Sequence, residues 1–416
     1  MKNHTKSGGI FYGWYIVAIG ALSLFFSGPG QTYSNSVFID QYISDFGWER
    51  SLVSGIYSGA TLAAGFLLFI IGTGIDRFGQ RNMSLLVSIL LAGACIWNSY
   101  VISPWMLFVG FFLIRLLGQG SMTLLPNTLI PQWFIKQRGR AFSFMMLGGF
   151  ASSTLFPPLN AWLITEYGWE TTWRILGISI LVIFVPLVYF FMRNKPEDIG
   201  LLPDDAGNNK KIESNEVHKE DISWTLKEAK STRQFWLLLL CVGIPSMINT
   251  GLTFHLVSIA STSGLGIGTA AFILSLMAVV GFPITLLAGF LLEKFKVNYM
   301  FALVFAGQFI FITILYFTNS FTLAVIFGLI WGFTGGLEKI CISVIFPDYF
   351  GRAHIGSIKS IASTVMVAGS AFGPLPFGIA FDYFGGYEEI LLISLLFPVL
   401  GVLACFFSPK PVKQTL

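Results

Sequence analysis

The sequence predicts an all-α membrane protein, and three observations carry that prediction: few charges, a series of long apolar runs, and basic residues gathered on alternate connections. Of the 416 residues, 54% are apolar and 11% are charged, and the mean hydropathy is +0.73. A soluble domain carries about a quarter of its residues as charges, so this chain lacks the polar surface to be wrapped in water. Its 44 Gly and 42 Phe suit helices that pack closely in lipid.

A hydrocarbon core of about 30 Å requires about 20 helical residues. Twelve apolar runs meet that length: 11–32, 51–74, 82–102, 105–129, 139–163, 173–192, 234–260, 269–292, 299–318, 321–345, 356–380 and 388–408. They are too long for barrel strands and lack period-2 alternation. One polar break, 193–233, separates six runs from six. The expected organisation is an N-terminal six-helix bundle over 1–192, a linker over 193–233 and a C-terminal six-helix bundle over 234–416. No cleavable leader is expected, because the first run is long enough to span and no small-residue cleavage site follows it. Cys95, Cys241, Cys341 and Cys405 fall within apolar runs, and His4, His218, His255 and His354 are scattered. Neither set has metal-ligand spacing, so no metal and no cofactor are expected.

Charge asymmetry orients the chain. With the N-terminus cytoplasmic, both termini and the even-numbered connections hold 21 of the 25 Lys and Arg. Arg50 and Arg174 fall on the other side, while Arg115 and Lys339 lie inside helices. The positive-inside rule therefore places both termini and the linker in the cytoplasm of a multi-pass cell-membrane protein.

The halves also repeat at an offset of 217. Gly72, Asp76 and Arg77 align with Gly289, Glu293 and Lys294; Gly47 aligns with Gly264, Met83 with Met300, Gly139 with Gly356, Pro157 with Pro374 and Gly168 with Gly385. One offset held along the chain implies two pseudo-symmetric bundles that can rock about a central cavity.

GTGIDRFGQRN at 72–82 resembles the signature loop of the major facilitator superfamily. Gly72 permits close helix approach, and Asp76 can pair with Arg77 or Arg81 to latch one face. The copy at 289–296 keeps Gly289, Glu293 and Lys294 but loses the later Gly and Arg, so its latch is expected to be weaker. IRLLGQGSM at 114–122 is similar to a second motif of that superfamily, an Arg followed by close glycines. FYGWYIV (11–17), PQWFIKQRGRAFSF (131–144), RNKPEDIGLLPD (193–204) and WTLKEAKSTRQFW (224–236) resemble the monocarboxylate-transporter and oxalate-formate-antiporter-like branch. That branch usually holds an Arg in helix 8, whereas residues 269–292 here contain no charge.

The resemblance implies a secondary transporter of a small organic solute, an organic anion such as a monocarboxylate, working as a monomer in the bilayer with a proton as candidate coupling partner. An exporter of amphiphilic compounds is the alternative. No Gly-x4-Gly-Lys-Ser/Thr loop is present for a nucleotide-driven pump. No clustered His, Asp or Glu marks a membrane enzyme, and nothing points to nucleic acid. Cavity candidates are Arg115, Gln31, Tyr33, Asn35, Asn249 and His255, each of which can equally serve as a packing hydrogen bond. An Arg deep in a span is costly unless it meets a cavity or a partner. Glu338 and Lys339 are the coupling candidates; Gly72, Asp76, Arg77, Arg81, Glu293 and Lys294 are the gating candidates.

Overall fold

The computed structural model describes residues 11–134, 137–203, 224–292, 295–351 and 355–411. Among these every regular element is helical. In order they are α1 (Gly13–Phe26), a 3₁₀ turn (Gly28–Gly30), α2 (Thr32–Phe46), α3 (Arg50–Asn98), α4 (Pro104–Ile114), a π-helical segment (Arg115–Ser121), α5 (Met122–Trp133) and α6 (Arg138–Ser179). A second π segment (Ile180–Phe184) leads into α7 (Val185–Phe191), and a 3₁₀ turn (Pro196–Ile199) starts the polar break. The second half comprises α8 (Leu226–Lys230), α9 (Arg233–Thr262), α10 (Ile267–Leu292), α11 (Val297–Tyr316), α12 (Phe321–Phe350), α13 (Ile355–Phe372), α14 (Pro374–Phe384), α15 (Glu388–Ser394) and α16 (Leu396–Phe406).

Eleven stretches of the described residues are long and apolar enough to cross a membrane, against the twelve expected. The difference arises at Arg140–Phe191, a continuous stretch of 52 residues that contains two of the expected runs. At 1.5 Å per residue it would extend about 78 Å, more than twice a hydrocarbon core. Gly168 interrupts it with φ 80° and ψ 162°, a conformation that a residue with a Cβ rarely adopts.

The first run is longer than its hydropathy indicates. Gly28-Pro29-Gly30 reads as an end, but helix resumes at Thr32 and continues to Phe46. Asn35 secures the junction, its Nδ2 donating to Pro29 O at 3.1 Å and to Gln31 O at 2.9 Å. The extension corrects the expected boundary at residue 32 and adds two carboxylates to this span. Asp40 pairs with Arg50 at 2.6 Å, and Asp45 accepts from Trp169 Nε1 at 2.7 Å.

The 217-residue offset has local structural counterparts. Gly47 and Gly264 both have positive φ, as do Gly168 and Gly385. Ser103 and Ser320 occupy equivalent N-caps, accepting from the amides of Met106 and Leu323. These caps satisfy otherwise orphaned helix donors.

The stretches before and after the polar break touch mainly near Gly47, Gly264 and Gly385. Asp382 accepts from the amides of Arg50 (3.1 Å) and Ser51 (2.6 Å), the first residues of α3. The Arg50 guanidinium lies 4.6 Å from the centre of the Phe381 ring, and the Tyr57 and Phe254 rings are 4.5 Å apart. Deeper, Ser275 donates to Thr154 O at 2.6 Å, and Phe150 stacks on Phe282 at 4.6 Å. Farther toward the other end of α3's first span, Phe66, Ile70 and Phe78 stand exposed.

Candidate functional site

Arg115 sits where α4 gives way to the π-helical segment, a form often found at functional positions. The wider turn accompanies a close crossing with the 3₁₀ turn. A Cβ on Gly30 would lie 2.2 Å from Ile114 O, and one on Gly118 would lie 2.8 Å from Gly30 Cα. That backbone proximity lets Arg115 Nη1 reach Gly30 O at 3.1 Å and Thr32 Oγ1 at 3.3 Å, while Nε donates to Thr61 Oγ1 at 3.1 Å. The guanidinium carbon lies 5.1 Å from the Tyr57 ring centroid, within cation–π range. Arg115 is only 3% exposed, yet every one of these partners is neutral, and no carboxylate pairs with it among the described residues.

The second half has a related arrangement with opposite charge. Asn249, 217 residues after Thr32, donates from Nδ2 to Glu338 Oε2 at 2.9 Å and accepts from Trp331 Nε1 at 3.0 Å. Its amide is thereby fixed from both sides. Glu338 is half-buried and Lys339 is exposed, so the adjacent charges do not share one environment. The two arrangements approach through Tyr57, which bonds Thr32 at 2.8 Å and packs on Phe254 of the Asn249 helix.

The remaining cavity candidates have different surroundings. Gln31 donates to Ser27 Oγ at 3.1 Å, Tyr33 donates to Ser152 Oγ at 2.8 Å, and Asn35 ties the α1–α2 junction. His255 is buried between the two halves of the chain, its Nε2 lying 2.9 Å from Pro374 O and 3.2 Å from Ser54 Oγ. The carbonyl only accepts, so Nε2 carries the proton and Nδ1 accepts from Tyr387 OH at 3.2 Å. The structure thus groups Arg115 with Thr32 and Asn249 with Glu338, and it places His255 beside the Asp382 contacts.

In the signature loop, Gly72 lies within α3, and Arg77 extends over the adjacent Phe78 ring at 5.2 Å. Arg81 donates to Tyr189 O at 2.7 Å and stacks on that ring at 5.4 Å. The Asp76 side chain and residues Glu293 and Lys294 lie outside the described residues.

Sequence reasoning passed over Thr61, Tyr57 and Asp382. The first two looked like ordinary span residues, since nothing local says which side chains an arginine 54 or more positions away will reach. Asp382 did carry a signal: it is a carboxylate at the end of an apolar run, beside the left-handed Gly385.

The Major Facilitator Superfamily model matches residues 20–374. The chain belongs to that superfamily. Curated relatives come from several of its branches. Monocarboxylate transporter 12-B of Danio rerio is 22% identical, covering 95% of this chain and 87% of the relative. The cis,cis-muconate transport protein of Acinetobacter baylyi is 25% identical over 74% of this chain and 73% of its own length. The match to the uncharacterized MFS-type transporter YcxA of Bacillus subtilis, at 28% identity, spans 36% of each chain. Among solved structures, a bacterial homolog of the human lysosomal transporter Spinster superposes with a TM-score of 0.76 at 16% identity, covering 96% of this chain and 97% of that one. The protein is thus a multi-pass secondary transporter of a small organic solute, built on the superfamily's fold.

Proposed function

We propose that this transporter carries a small organic anion and that Arg115 provides the fixed positive charge in its binding cavity. The supporting observation is a deeply buried guanidinium held only by neutral groups. Two hydroxyls, one carbonyl and a ring face solvate the cation without neutralising it, which leaves an electrostatic vacancy for a carboxylate. A guanidinium grips a carboxylate through two parallel charge-assisted hydrogen bonds. The names of the monocarboxylate and muconate relatives agree with that charge.

The reading uses twelve spans, with Arg140–Phe191 counted as two about Gly168, arranged as bundles 1–192 and 234–416 joined by the cytoplasmic linker 193–233. With the basic connections inside, the contacts from Asp382 to Arg50 and Ser51 form a closed outer gate. Rocking the bundles then exposes the cavity to either side. Glu338, held by Asn249, is the candidate proton carrier that couples transport to a gradient. Gly72, Asp76, Arg77 and Arg81, with Glu293 and Lys294, serve the cytoplasmic gate.

The test is uptake into proteoliposomes across a panel of labelled mono- and dicarboxylates, with and without an imposed pH gradient. Saturable uptake of at least one acid, lost in Arg115→Gln, is the expected outcome. Uptake unaffected by that substitution would give the lead to an exporter of amphiphilic compounds, a reading that the uncharged α10 favours. Reporter fusions after each span test the topology. A periplasmic or extracellular signal from 193–233 would refute it.

A further inference from the structure

A pocket of about 650 Å³ lies where the start of α11, the end of α12 and the segment after α16 converge. Lys296, Asn298, Tyr299, Asp348, Phe406 and Lys410 are among its lining residues. Lys410 forms an ion pair with Asp348 at 3.0 Å, both side chains remaining largely exposed. Lys296 is exposed and has no partner among the described residues. At the rim, Arg233 donates to Phe407 O at 3.0 Å. Three cations thus surround one carboxylate, with the exposed rings of Tyr299 and Phe406 beside them.

The groove continues into the membrane between the same two helices. A second hollow, of about 380 Å³, is lined by Ala306, Phe309 and Ile310 of α11 with Pro398, Val399 and Val402 of α16. Tyr299 and Ala306 are seven residues apart, as are Val399 and Phe406, so each pair lies on nearly one helix face. From Tyr299 to Ile310 the rise is about 16 Å, close to one leaflet of a hydrocarbon core of about 30 Å. The polar pocket and the apolar groove therefore form one continuous L-shaped site at the membrane interface.

The corresponding corner of the first half is filled. Arg81 stands 217 residues before Asn298, and Tyr189 the same distance before Phe406. Arg81 donates to Tyr189 O and covers its ring, while Asn194 Oδ1 accepts from the Arg81 amide at 2.8 Å. The short Asn298 side chain replaces that arginine in the second half. The opening is thus particular to one half of the transporter.

We infer that the α11–α16 groove is a binding site for one anionic phospholipid, its phosphate held by Lys296 and Lys410 and an acyl chain laid along Phe309, Ile310, Val399 and Val402. A phosphate would compete with Asp348 for Lys410 and add an acceptor for Lys296. The apolar continuation selects a lipid over a free phosphate, because a soluble anion has no use for a leaflet-deep groove.

The full-length protein, purified in mild detergent, is incubated with phosphatidylglycerol, with phosphatidylcholine of identical chains, or with inorganic phosphate, and bound adducts are counted by native mass spectrometry. Phosphatidylglycerol is expected to be retained about tenfold over phosphatidylcholine. Lys296→Gln with Lys410→Gln should remove that preference, as expected for two lysines near the headgroup. Asn298→Arg separates a shaped site from diffuse charge. It adds a cation but fills the corner as Arg81 does, so retention should fall. Higher phosphatidylglycerol retention in that variant would overturn the inference, as would equal retention of both lipids by the native protein. Phosphate binding as tight as the lipid would overturn it in favour of a soluble-anion site. If Asn298→Arg fails to fold, Val402→Trp, which blocks only the apolar groove, replaces it and should likewise reduce retention.

Discussion

The Arg115 and Glu338 surroundings occupy related places in the two halves and treat charge in opposite ways. Thr32 and Asn249, separated by the 217-residue offset, each bond the charged side chain presented by a later helix. Arg115 is 3% exposed and solvated by hydroxyls, a carbonyl and a ring. Glu338 is half-buried, with one amide donor and an exposed lysine next to it. A guanidinium stays protonated at any physiological pH, so the first arrangement fixes a charge. A carboxylate can gain or lose its proton, so the second can change charge during a cycle. The duplicated fold has thus supplied one scaffold position for two electrostatic tasks: attracting an anion and answering a proton gradient.

Substitutions can break that contrast in order of expected effect. Arg115→Gln should lower uptake of an anionic substrate by a hundredfold or more, since each hydrogen bond to a charged group contributes about 1.5–3 kcal/mol. Arg115→Lys keeps the charge but loses the fork, and a loss of roughly tenfold is expected. Proteoliposome uptake measures both, and wild-type rates in the glutamine variant would reduce Arg115 to a packing role.

Glu338→Gln addresses the other arrangement. The amide retains an oxygen for Asn249 but cannot titrate. Gradient-driven uptake should flatten with pH while substrate exchange at equal pH persists. An unchanged pH profile would remove Glu338 from coupling and leave the contrast as one of packing alone.

Asp382→Asn tests whether the contacts between the two halves bias the cycle. The cap and its charge on the α3 terminus are together worth about 1 kcal/mol, so the open population at that face should rise about fivefold. All four native cysteines are buried, which lets a single Ser54→Cys reporter be read by maleimide labelling. Labelling that stays at the parent level would show that Asp382 does not hold the gate.

Asp76→Asn should have the smallest effect on recognition. The residue belongs to the loop at the end of α3's first span, away from the Thr32 and Thr61 contacts of Arg115. Turnover is expected to slow severalfold while substrate affinity stays within about a factor of two. Competition binding and transport rate separate the two, and a loss confined to affinity would contradict a gating role.

Much of this molecule was legible without coordinates because lipid imposes one-dimensional constraints. A span must be apolar for about 20 residues and must satisfy its own backbone, so span number and character follow from hydropathy. The repeat could be read because Gly47, Gly168, Gly264 and Gly385 hold backbone conformations that depend on a missing Cβ, a requirement local to each position. Arg115 could be singled out because a buried cation is costly wherever it points.

Tertiary structure alone settled which groups meet that cation. Gly30, Thr32 and Thr61 converge on Arg115 only because the Gly30–Gly118 crossing brings two backbones together. The same holds for helix continuity through Pro29, where Asn35 supplies donors that hydropathy does not register, and for Asp382 reaching the amides of Arg50 and Ser51 more than 300 residues earlier. Hydropathy records whether a residue tolerates lipid. It carries no information about direction around the helix axis or about the crossing of distant helices, and hydrogen bonds depend on both.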